Sequence, residues 1–213
     1  MSQSFEAYLT DSDIVAGHLL DHAAWSVARP VQLMHYWSGE PAPPERHATV
    51  RAIWSRAALC IRFDCAQHEP IVLSSKPQTE QKTTDLFERD VCEIFIAPNP
   101  NEPERYFEFE AAPTGEWLDL AIHQMPDKRE TDWEYSSGMT VATRVDDERV
   151  TICMRIPFEA FGGAPQLGTR WRANLFRCIG EGDARGYFAW QPTRTDLPNF
   201  HVPNAFGWLS FTE

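Results

Sequence analysis

The sequence predicts an all-β protein, a two-sheet antiparallel β-sandwich of immunoglobulin or jelly-roll type with a minor helix near the N-terminus. Three observations predict it. About ten short apolar segments alternate in character with period two, turn signals recur about every 8–12 residues, and convincing helical periodicity is scarce. Composition agrees: 13 Phe, 8 Trp and 16 Pro stand against only 11 Gly, which suits strands joined by ordered loops.

The elements follow in order. Residues 11–24 have the composition of one helix. "VQLMHYW" (31–37) and "ATVRAIW" (48–54) read as strands flanking a proline-rich loop, and "ALCIRFDC" (58–65) puts Leu59, Ile61 and Phe63 on one face. Residues 66–89 form the longest polar interval, of a length that marks either a functional loop or an insertion. Strand signals return at "DVCEIFIAP" (90–98), "RYFEFEAAP" (105–113) and "EWLDLAI" (116–122), the last two joined by a Pro- and Gly-bearing turn. "MTVATRV" (139–145) and "RVTICMRIP" (149–157) flank "DDE" as a second hairpin. "WRANLFRCIG" (171–180), "YFAWQPT" (187–193) and "GWLSF" (207–211) complete the set, and "PFEAFG" (157–162) forms a single turn. Neither a repeat nor a domain boundary interrupts residues 1–213, so one domain is expected.

A net charge of −12 repels phosphate backbones and anionic lipid, so neither nucleic acid nor a membrane is the expected partner. The first twenty residues lack a basic and then apolar leader pattern. The expected compartment is therefore the cytoplasm, or the outside of the cell with a leader removed. Five cysteines, several of them inside apolar runs, read as buried thiols rather than a disulfide framework or zinc knuckle. His18 and His22 in "HLLDH" have helical spacing but no intervening HExxH glutamate, and belong to a surface helix.

The chemistry-bearing positions begin with "LFERDVCEIFIAP". Strand alternation sends Val91, Glu93 and Phe95 one way and Cys92, Ile94 and Ile96 the other. Glu93 must then face solvent or sit at a site, and Phe87 precedes it closely enough to overhang the same face. An aromatic plate beside a carboxylate grips sugars, whose C–H faces stack on the ring while their hydroxyls bond the charge. The proline-bracketed loop "PNFHVP" offers Phe200 and His201 in the same spirit. "RYFEFE" adds Glu108 and Glu110, and "ANLFR" adds Asn174 and Arg177 on opposite faces.

The ordered series "FERDVCEIFIAP", "YFEFEAAPTG", "IPFEAFG", "WRANLFRCIG", "YFAWQPT" and "PNFHVPNAFGWLSF" resembles the family 9 carbohydrate-binding modules and their stand-alone bacterial relatives, within a wider group that includes the DOMON domains. The likeness runs from about Trp25 to Phe211. It implies a sandwich that binds a mono- or disaccharide end without catalysis, clamped between two aromatic plates at the positions of Phe87 and Phe200. Both are tryptophan in the family's sugar binders. Glu93 matches the family's acidic sugar ligand, whereas Glu108 stands where those members place a basic residue. The ligand-binding candidates are Phe87, Glu93, Phe200, His201, Glu108, Asn174, Arg177 and Trp190. No cofactor is required, and a structural Ca2+ is compatible with the family's sandwiches.

The rival readings are a DOMON-type haem site built from Met and His, a protein-interaction sandwich that has lost its sugar site, and a glycoside hydrolase or its accessory. A hydrolase would need two carboxylates across a cleft from among Glu93, Glu108, Glu110 and Asp119.

Overall fold

The computed structural model describes residues 3–213. Its strands are β1 Ser4–Leu9, β2 Val31–Leu33, β3 Ala48–Trp54, β4 Ala58–Ala66, β5 Val91–Ala97, β6 Arg105–Ala111, β7 Trp117–Gln124, β8 Arg129–Asp132, β9 Thr140–Asp146, β10 Arg149–Pro157, β11 Arg170–Ile179, β12 Gly186–Ala189 and β13 Gly207–Thr212. Hydrogen-bonded neighbours form one path, β8-β7-β6-β5-β11-β13-β1-β3-β4-β10-β9, with β12 beside β11 and β2 beside β3.

The path folds over on itself into a sandwich. Alternation explains how: Ile94, Ile96, Phe109 and Leu175 from one half meet Val50, Ile61, Phe63, Ile152 and Met154 from the other in a single apolar core. Pairing is antiparallel except at β1, which lies parallel to β13 on one side and parallel to β3 on the other. That strand departs from the all-antiparallel expectation. Only Phe5 and Ala7 are buried along it, too few to announce a strand by period.

The predicted N-terminal helix is absent. Residues 16–18 and 23–26 make two 3-10 turns instead. Ile14, Leu19 and Trp25 are buried against Ile53, Cys60 and Cys153 on the outer face of β3, β4 and β10. Spacings of five and six residues fall out of step with 3.6, so no helix could lay all three on the sheet. His22 caps the second turn by accepting the Ala24 amide proton at 3.2 Å, so His18 and His22 do not share a helix face.

A second apolar cluster covers the opposite outer face, over β5, β6, β7 and β11. It unites Val91, Phe95, Tyr106, Leu118, Leu120 and Phe176 with Phe200 and Phe206 from the long connection before β13. The connection is held down where Trp190 packs across Gly207. A Cβ there would lie 2.4 Å from the indole ring, so only glycine fits.

Candidate functional site

Strand register assembles the site. On β5, Glu93 lies directly opposite Glu110 of β6, and Phe95 opposite Glu108; on the other flank Glu93 faces Phe176 of β11. All three glutamates point outward into the second cluster's face, and all three are buried. Their carboxylate oxygens lie within 4.8 Å of one another, and this is the one such grouping of three or more acids, histidines or cysteines among the described residues. Like charges on directly opposed strand positions are destabilising. The fold alone gives no reason to keep them.

The electrostatics are correspondingly strained. Burial, and then the charge of Glu108, push Glu93 well above the ordinary carboxyl range, and its main relief is a thiol proton from Cys178 at 3.6 Å. Burial and then the charges of Glu93 and Glu108 do the same to Glu110. Glu108 is raised by burial, against a lowering pull first from the adjoining Glu110 carboxyl and then from Arg129. Both Glu110 oxygens and Oε2 of Glu108 have no hydrogen-bond partner within the protein.

These carboxylates floor a cleft of about 300 Å3 walled by Phe87, Arg129, Tyr187 and the 198–201 loop. Phe87 is 47% exposed, as a plate must be. Phe200 differs from the exposed plate the sequence suggested. It is 9% exposed and stacked on Phe176 at 4.1 Å with 12° between the planes, so one of its faces belongs to the core. The loop is rigid because Phe200 and Phe206 both anchor it inward and the Asn199 side chain accepts the His201 amide proton at 3.0 Å. His201 shares a hydrogen bond with the Tyr106 hydroxyl at 2.9 Å and lies 3.9 Å from Glu108. Burial pushes its imidazole down to about 3, so it faces Glu108 as a neutral ring and not as an ion pair.

The structure therefore brings Phe87, Glu93, Glu108, Phe200 and His201 together. Three other candidates lie elsewhere. Asn174 is fully buried, and its amide ties β11 to the Gln191 backbone, donating at 2.8 Å and accepting at 2.9 Å. Arg177 points to the other side of β11 and donates to the Arg46 carbonyl and to Gln67 Oε1. Trp190 is a core residue packed edge-on to Phe5 at 5.1 Å. In each case a buried polar or aromatic group on a strand or just beyond its end found a structural partner.

Sequence reasoning passed over Arg129, Tyr187 and Arg185. Arg129 sits in β8, whose polar "RETD" carries no strand signal. Arg185 donates to the carbonyls of Phe87 and Arg89 and lies over the Tyr187 ring at 5.5 Å, which fixes the turn bearing Phe87. Larger hollows of about 540 and 610 Å3 lie along the β6, β7 and β8 edge and beside Pro203, but neither has a buried carboxylate in its wall.

The fold and site together define a β-sandwich with aromatic walls over buried acids on one sheet face. The chain belongs to the carbohydrate family 9 binding domain-like family, whose sequence model matches residues 15–213. A family 9 module from Caldicellulosiruptor kristjanssonii, solved with cellotriose, superposes with a TM-score of 0.69 at 14% identity, covering 99% of this chain and 94% of that one. The same organism's family 9 module with glucose gives 0.67 at 14% identity, covering 99% and 96%. A Bacteroides uniformis protein whose own assignment to carbohydrate binding is provisional reaches 0.78 at 17% identity, covering 99% and 100%. An extracellular protein of Arthroderma benhamiae is 22% identical over 183 residues, 79% of this chain and 80% of that protein.

Proposed function

We propose that this chain is a non-catalytic carbohydrate-binding module that holds a mono- or disaccharide end in the Phe87–Phe200 cleft. The observation that carries the reading is the pairing of aromatic walls with buried acceptors in one small hollow. A volume of about 300 Å3 lies at the lower end of small-molecule sites, which run roughly 300–1,000 Å3. Phe87 offers an open ring face to the sugar's C–H surface, and Phe200 offers the face not taken by Phe176. Glu93 accepts hydroxyl protons.

Family membership supports saccharide binding, as do the glucose and cellotriose held by the Caldicellulosiruptor modules. Glycosidases flank the scissile bond with two carboxyl groups, whereas here the three acids lie side by side on a single sheet face.

Calorimetry against glucose, xylose, galactose, cellobiose and xylobiose, with borohydride-reduced disaccharides as controls, tests the reading. Heat from the native disaccharides that vanishes on reduction is the expected result. Silence from every saccharide at millimolar concentration would overturn it and leave the sandwich as a protein-interaction domain.

A further inference from the structure

The three glutamates ask more of a ligand than hydroxyl donors supply. Building on the saccharide reading, we propose that the preferred sugar carries a free, protonated amine, as in an amino sugar without its acetyl group, and that Glu93, Glu108 and Glu110 receive the ammonium.

Geometry is the first argument. An ammonium nitrogen about 2.8 Å from each of three oxygens in tetrahedral array sets those oxygens about 4.6 Å apart. Each of the three carboxylates offers an oxygen no more than 4.8 Å from the others, close enough for one cation to meet all three, and the Glu110 oxygens, fully buried at the cleft floor, are unpartnered.

Charge is the second argument. A neutral sugar cannot compensate a carboxylate that ionises in the buried cluster, whereas one ammonium balances one such carboxylate while the acids that stay protonated accept from it through their carbonyl oxygens. Asp85 adds a further negative field at Glu110. Arg129 at the mouth and Arg185 behind the Phe87 turn draw down Glu108 and Glu93 respectively, yet burial keeps all three acids raised. An arriving ammonium lets one of them ionise. The walls agree with this choice, since Phe87, Phe200 and Tyr187 line the cleft, and aromatic rings attract an ammonium-bearing sugar by cation–π contact as well as stacking.

The test is calorimetry of the whole chain with glucosamine, glucose and N-acetylglucosamine, each in EDTA and again with added Ca2+. Glucosamine is expected to bind about ten- to hundredfold tighter than the other two in EDTA, the worth of one to two charge-assisted hydrogen bonds. The preference is expected to collapse in Glu110→Gln and Glu108→Gln, each checked for folding by its thermal transition. Glucose binding as tightly as glucosamine would overturn the amine and leave the saccharide reading intact. Glucose binding that requires Ca2+ would overturn it in favour of a divalent ion held by the same carboxylates. No heat from these sugars or from the wider panel would remove both proposals.

Discussion

Glu110 lacks a partner for either carboxylate oxygen, and at neutral pH that places a burden on the folded state. Glu110 and Glu93 titrate above the ordinary value of 4.5 when folded, so above about pH 4.5 the native protein retains protons that the unfolded chain has released. Stability therefore falls as pH rises from there through the folded values. Glu110→Gln is expected to stabilise the protein at pH 7 by on the order of 1–3 kcal/mol. Thermal melts across pH should show that gain shrinking to nothing near pH 4, where the carboxyl is protonated in both states. His201 has the opposite sign: held at about 3 against an ordinary 6.5, its contribution is present above pH 6.5 and is lost as pH falls towards 3.

The two phenylalanines separate binding from stability. Phe200→Ala removes a ring stacked in the core and is expected to cost about 3 kcal/mol or more. Phe87→Ala should change stability by less than about 1 kcal/mol while abolishing the calorimetric signal for sugar. Equal destabilisation in urea melts would mean that both rings are packing residues. All five cysteines are buried and free, with Sγ of Cys65 and Cys92 3.5 Å apart across the two sheets. A thiol reagent should find none of them in the native protein and five after denaturation.

At the scale of elements, the 66–89 interval is pinned by one lysine. The Lys82 ammonium lies 2.8 Å from the buried Asp119 carboxylate, 2.7 Å from the Asp119 carbonyl and 3.3 Å from the Trp133 carbonyl, and also bonds the Tyr135 carbonyl. Arg89 meets the buried Glu116 at 3.3 Å and adds a second tether. Lys82→Met leaves Asp119 buried without its cation and is expected to cost about 3 kcal/mol. Limited proteolysis should then cut within 67–85 in the variant and spare the parent; equal resistance would mean that the loop stands without its lysine.

Legibility in the sequence followed the same physics. Strands β4, β5, β6 and β10 advertised themselves because they are long, rich in apolar residues and buried over most of their length. β8 did not, because an edge strand of Arg, Glu, Thr and Asp buries no regular row. The acids Glu93 and Glu108 were readable from alternation. Arg129 and Tyr187 were not, since register between distant segments brings them to the cleft. Asn174 was misread because alternation reports the face of a residue and not whether a backbone group already occupies its amide.

For the molecule as a whole, the parallel placement of β1 sets the order of events. Ser4 sits opposite Trp208, and Ala7 opposite both Phe211 and Ala52, so this one strand joins the two halves of the sandwich. Removing residues 1–9 would leave the edge of β13 and the Ala52–Trp54 end of β3 unpaired, a template for association between chains. The truncated protein is expected to sediment as aggregate where the parent stays dispersed, and a stable truncated monomer would show that the halves hold without their seam. During synthesis β3 follows β1 within some fifty residues, but β13 comes only some two hundred residues after it. Contacts so distant in sequence slow folding. The β1–β13 seam is therefore among the last to close, and until then the nascent chain is a sandwich standing open along one side.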